Sequence, residues 1–297
     1  MRTAKGKINV DKLKICFKAN ESLLDNLMEE FKTTKVLDFV DYQLVLVEQD
    51  EDSMLVALDM DMDGATHRFG FFTFPLNGKY AKYVFFCFEN RALYTLFMNY
   101  EGRKSSIAIM LEDIAADMGL QFNNITLVEL ALDTNINVLA KVRKAIKNTE
   151  RYDMIMNMKQ VKDSRQKIDG YCEVYGGSRE RLATPPMLYF RQKKDEGLRL
   201  KIYNKTREME DVSPSKTEYI PEWNDITTTP IYRAEVTVRN EDIAAFCEKT
   251  GKDKGEALYW LFNDRWRAEL WLHCCKRVLH FYDRYTSGIV DILDLCA

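Results

Sequence analysis

Apolar and polar side chains alternate from residue 36 to residue 58, many of them β-branched, which is the period of strands with one buried face. The basic start of the chain leads into a similar mixed strand pattern. Residues 67–76 and 79–88 alternate in the same way around Asn77-Gly78. That pair is preferred in a two-residue type I′ turn, where both central residues need positive φ, so a hairpin is predicted. Over 104–118 the period changes: Ile107, Met110, Leu111, Ile114 and Met118 recur at helical spacing, and Gly119 follows as a stop. A strand at 125–133 and a basic helix at about 137–148 come next, and 149–166, polar and punctuated by Met, reads as a connector. Strand patterns resume at 169–175, 187–192 and 198–204, and a polar, Pro-containing loop fills about 207–230. A last strand at 231–239 precedes a short helix at 240–250 and a long Trp- and Tyr-rich helix at 254–284. This order predicts an α+β protein: two halves with mainly antiparallel sheets flanked by helices, plus a long C-terminal helix. The expected divisions are 1–150, 151–250 and a helical segment 251–297.

Composition narrows the class. With 46% hydrophobic and 30% charged residues the chain can build a core, and no apolar run reaches the roughly 18 residues of a membrane helix. Seven scattered Cys, an odd number without a Cys-x-x-Cys pair, fit reduced thiols, so a cytoplasmic protein is expected. The net charge of −3 makes any nucleic-acid surface a local one.

Three strands carry charge on one face only. In 128–133 the two-residue period puts Glu129, Ala131 and Asp133 on one side and Val128, Leu130 and Leu132 on the other. Acids placed together on one side of an apolar strand suit a divalent cation, although an ordinary solvent-facing sheet side has the same pattern. In 199–205, Arg199, Lys201, Tyr203 and Lys205 share a face opposite Leu200 and Ile202. Cations two residues either side of a tyrosine stabilise its phenolate and would hold a phosphate, making Tyr203 a candidate nucleophile; a wet strand face with a Tyr among Lys and Arg stems fits equally. In 231–239, Arg233, Glu235, Thr237 and Arg239 face away from Tyr232, Ala234, Val236 and Val238. Together the three strands predict one polar sheet surface with acids, a tyrosine and cations, the equipment of metal-assisted phosphoryl transfer.

Residues 188–207 hold seven Lys/Arg against two acids, a local charge of +5 in an acidic protein. Arg191, Lys193, Lys194, Arg199 and Arg239 are the candidate DNA-backbone contacts, with Tyr189 and Phe190 able to stack on bases; a solvated hairpin is the alternative. Asp59-x-Asp61-x-Asp63-Gly64 starts like a calcium loop but has Gly70 at the twelfth position, where a Glu is required. The three His form neither His-x-His nor His-Glu-x-x-His. Tyr175-Gly176-Gly177-Ser178 is too short for a dinucleotide or P-loop fingerprint.

Val-Glu-Leu-Ala-Leu-Asp (128–133), Lys-Ile-Tyr-Asn-Lys-Thr-Arg-Glu (201–208) and Arg-Ala-Glu-Val-Thr-Val-Arg (233–239), in this order, resemble the replication-initiation factor family of rolling-circle plasmids, some phage initiators and conjugative relaxases. Leu127 stands where that family has Arg, and its Tyr-Phe-Gly-Ser stretch matches neither 175–178 nor 188–194 fully. The resemblance implies a divalent ion, Mg²⁺ or Mn²⁺, held by Glu129, Asp133 and Glu235. It implies Tyr203 as the residue that nicks one DNA strand, leaving a 5′-phosphotyrosyl link and a free 3′-OH, with Lys201, Lys205 and Arg233 assisting. The implied partner is DNA at an origin of replication or transfer; a host helicase and a homodimer are also admitted, and a membrane is not. The competing expectation is a non-catalytic DNA-binding or assembly protein of a mobile element.

Overall fold

The computed structural model describes residues 7–62, 64–99, 105–161, 172–173, 187–191 and 197–297. The N-terminal strand pattern forms β1 (Ile8–Ala19), and a helix, α1 (Glu21–Thr33), follows it. The alternation over 36–58 becomes β2 (Val36–Asp38), β3 (Tyr42–Gln49) and β4 (Ser53–Met62). The predicted hairpin is β5 (Ala65–Pro75) with β6 (Tyr83–Phe88), paired antiparallel from Gly70–Phe88 to Thr73–Phe85. Its turn differs from the type I′ expectation. Pairing ends at Thr73 and Phe85, Asn77 is extended at φ −131°, only Gly78 takes positive φ (+74°), and a 3-10 turn at Gly78–Tyr80 completes the longer connection.

Helix α2 (Asn90–Asn99) precedes α3 (Ser105–Asp117), whose Ile107, Leu111, Ile114 and Met118 stripe is buried as its spacing requires, with Gly119 at φ +70° ending it. Next come β7 (Leu120–Thr134) and the basic helix α4 (Val138–Lys147), started by the Asn137 side chain accepting from Ala140 N at 2.9 Å.

Beyond α4 the sequence expectation needs three corrections. The connector 149–166 contains β8 (Tyr152–Met156) and β9 (Lys159–Gln160). After β10 (Cys172–Glu173), β11 (Met187–Arg191) and β12 (Arg199–Asn204), the expected loop is largely helical, at Lys205–Asp211, Pro214–Glu218 and Ile220–Trp223. Asn204 caps the first of these, and Pro214 and Pro221 sit at helix starts, where the missing N–H costs nothing. Strand β13 (Tyr232–Arg239) and the helix Asn240–Lys249 are as read, and a long C-terminal helix is present, but it does not fill the whole stretch 254–284. That stretch splits into Ala257–Leu261 and Asp264–Val278 and passes into β14 (Leu279–Asp283) and β15 (Gly288–Val290), because β14 finds a partner in β8 far back in the chain. A short helix, Ile292–Cys296, ends the chain behind an Asp291–Asp294 capping box.

The fold is α+β, in two units. Of the described residues, the first unit takes 7–9, 129–242 and 265–297, and the second takes 10–128 and 243–264. In the first the strand order is β10-β11-β12-β13-β7, with a separate four-stranded sheet β15-β14-β8-β9. Leu200, Ile202, Ala234, Val236 and Trp271 are buried in its core, Trp271 Nε1 donating to Ala234 O at 3.3 Å. In the second unit the order is β7-β1-β6-β5-β4-β3-β2, over a core in which the Phe72 and Phe86 rings lie 4.6 Å apart. No helix among the described residues is long and apolar enough to cross a membrane.

Candidate active site

The predicted polar sheet surface lies in the first unit. Strands β12 and β13 pair antiparallel in a register that sets Lys201 opposite Glu235, Tyr203 opposite Arg233 and Arg199 opposite Thr237. Side chains on the other face, Leu200, Ile202, Ala234 and Val236, are wholly buried, so the apolar alternation fixes which way the charged row points. That row is not a wet surface. Tyr203, Arg233, Glu235 and Thr237 are buried, and Lys201 and Glu129 are only partly open.

Glu235 organises the cluster. Its Oε1 accepts from Lys201 Nζ at 2.9 Å, its Oε2 accepts from Tyr203 Oη at 3.2 Å, and Arg233 Nη1 lies 3.7 Å from Oε2. Glu129 joins from β7: its Oε1 accepts from Thr237 Oγ1 at 3.4 Å and lies 3.9 Å from Lys201 Nζ. Glu129 and Glu235 each bring an oxygen within 4.8 Å of the other, with the Lys201 ammonium between them. Burial opposes the charge on Lys201, but Glu235 and then Glu129 outweigh it, and the lysine pKa is raised above its ordinary value.

Asp133 stands apart from this pair. Four residues of extended strand, about 13 Å, separate it from Glu129. Its two oxygens accept from Arg233 Nε and Nη2, each at 2.7 Å, and Oδ2 also accepts from Asn224 Nδ2 at 3.2 Å. Both charged side chains are fully buried. Asn224 is fixed in turn by donating to Ile220 O at 2.8 Å and by accepting from Asn9 Nδ2 at 2.7 Å.

Lys205 is not a strand residue: it opens the helix Lys205–Asp211, is buried, and pairs with Glu208, with its ammonium 5.9 Å from the centre of the Tyr203 ring. Arg191 and Arg199 lie opposite each other on β11 and β12, and Arg239 ends β13. Lys193 and Lys194, and the Tyr175–Ser178 stretch, lie outside the described residues. Sequence reasoning missed Asn224, which sits in the stretch read as loop, and had Glu208 only as the end of the tyrosine motif; Asn204, a cap residue three before Arg207, was the available signal of a helix start there. In the second unit, Asp11 on β1 is another buried acid, accepting from Tyr94 Oη at 2.9 Å and Asn90 Nδ2 at 3.3 Å. A single acid in a mixed strand gave no signal.

Two carboxylates converging on one cation, beside a tyrosine hydroxyl that donates to one of them, can hold a hard cation and accept a phenolic proton. No protein-family model and no curated protein matches the chain. Among solved structures, the chain is similar to a rolling circle replication initiator protein from Geobacillus stearothermophilus, with 12% identity and a TM-score of 0.41 over 95% of this chain and 89% of that one. A likeness that loose assigns neither fold nor function.

Proposed function

We propose that the chain nicks and rejoins DNA through a covalent phosphotyrosine at Tyr203, with Glu129 and Glu235 as the ligands of a divalent ion. The observation that carries this reading is the Tyr203–Glu235–Lys201 arrangement, which joins a nucleophile, a proton acceptor and a cation on one sheet face. As Tyr203 Oη attacks phosphorus, its proton passes to Glu235 Oε2, the O–P bond forms, and the P–O3′ bond breaks. The departing 3′ oxygen takes up a proton from solvent, and the 5′ phosphate stays on the tyrosine. Lys201 and Arg233 offset the negative charge that gathers on the phosphoryl oxygens. Retaining one phosphodiester bond's energy in the link allows rejoining without a nucleotide.

Glu129 and Glu235 fit Mg²⁺ or Mn²⁺, because their oxygens are hard donors already gathered around a positive charge. The bound ion would polarise a phosphoryl oxygen as a Lewis acid. Asp133, committed to Arg233, instead orients that guanidinium. Arg191, Lys193, Lys194, Arg199 and Arg239 are the proposed backbone contacts of the DNA.

The test is capture of a covalent adduct on a single-stranded oligonucleotide bearing the cognate site, with and without EDTA. Tyr203→Phe loses one hydrogen bond, about 1 kcal/mol of stability, and should lose the adduct completely. Glu129→Gln should raise the Mn²⁺ concentration needed, whereas Glu235→Gln, which also removes the acceptor of the tyrosine proton, should lose the adduct at any Mn²⁺ concentration. An adduct that survives Tyr203→Phe, or that forms fully in EDTA, refutes the assignment of nucleophile or of metal.

A further inference from the structure

We propose that α4 is a second nucleic-acid contact, distinct from the tyrosine–carboxylate cluster, that binds the phosphate backbone of duplex DNA through Lys141, Arg143, Lys144 and Lys147. The inference goes beyond strand transfer and does not depend on it.

The helix buries Val138, Leu139, Val142 and Ala145 as one stripe. At 100° per residue, Lys141, Lys144 and Lys147 fall within a 120° arc on the other side, and all three are exposed, with Arg143 half-buried at its edge. The helix has four cations and no acid. Other surface cations do pair: Arg68 with Asp59, Arg151 with Asp283, Arg265 with Glu269 and Arg284 with Asp153. Among the described residues, none of the four α4 cations has a carboxylate at ion-pair distance. Lys144 and Lys147, in the last turn, also complement the helix dipole, but Lys141 and Arg143 lie too early for that explanation.

Spacing and chemistry select the partner. From Lys141 to Lys147 the helix rises about 9 Å, a length over which a duplex presents about five phosphates. A membrane-surface helix needs a free apolar face, and the apolar stripe of α4 is already spent inside the protein. A protein partner would call for an aromatic anchor, and the cationic arc has none. The helix packs against β12 and β13, so the cations ride on the sheet that holds Lys201, Tyr203 and Glu235.

The experiment is a salt titration of binding to a random-sequence duplex, followed by fluorescence anisotropy, with the full chain and a Lys141→Ala/Lys144→Ala/Lys147→Ala variant. Alanine preserves the helix, and far-UV circular dichroism checks this. Loss of three phosphate contacts should flatten the slope of log K against log salt by about 2.7. Duplex binding is read directly, so the result stands whether or not Tyr203 forms an adduct. An unchanged slope overturns the proposal. So does a wild-type protein that ignores duplex but binds phosphatidylserine vesicles or polyglutamate through these lysines.

Discussion

Asp133→Asn tests the buried fork at the heart of the first unit. The change keeps the shape of the side chain and removes its charge, leaving the Arg233 guanidinium buried with two 2.7 Å hydrogen bonds weakened and no full countercharge from Asp133. Neither partner is exposed, so solvent cannot take over the lost interaction. Breaking a buried pair from one side costs about 3–5 kcal/mol. At a urea m-value of about 2 kcal/mol per molar, this lowers the midpoint by about 2 M. Equilibrium urea unfolding, followed by tryptophan fluorescence, reads the shift; Trp271 lies in the same unit. Asp133→Leu/Arg233→Met removes both charges and should recover most of the loss, since an apolar pair of similar volume needs no compensation. Two outcomes would refute the reasoning: a midpoint that moves by less than about 0.5 M in Asp133→Asn, or a double variant that is worse than either single.

Two further predictions follow from pKa and packing. The raised pKa of Lys201 means that its pairing with Glu235 and Glu129 stabilises the fold fully below the ordinary lysine value and is lost as pH rises through the raised one. Wild type should therefore lose stability in that alkaline window relative to Lys201→Met, and parallel pH–stability curves for the two would contradict this. In the second unit, a Cβ at Gly70 would come within 2.4 Å of Cys87 O and 2.7 Å of the Phe86 ring. Gly70→Ala should cost about 1–3 kcal/mol, seen as a lowered thermal midpoint.

The three charged strands were legible because strand period alone assigns each side chain to a face, and Leu200, Ile202, Ala234 and Val236 show that the assignment holds. Which carboxylate meets which cation was not legible. Asp133 is a hundred residues from Arg233, and only the pairing of strands decides that it serves the arginine while Glu129 turns to Lys201. The same non-local choice hid β8 and β14. Residues 279–283 continue an apolar pattern that a helix could also use, and it is the partner strand at 152–156 that draws them into a sheet. Prolines misled in the opposite direction, since Pro214 and Pro221 mark the starts of helical turns rather than a break.

The cross-strand register of β12 and β13 also acts as a safeguard during folding. Slipping β13 by one residue would turn Arg233 and Glu235 toward the side now filled by Leu200 and Ile202. Two ionised groups would then be trapped in hydrocarbon without Asp133, Lys201 or Tyr203 to answer them. Each such group costs several kcal/mol, comparable to the whole stability of a domain, so the misaligned sheet is excluded at the moment it forms rather than corrected afterwards.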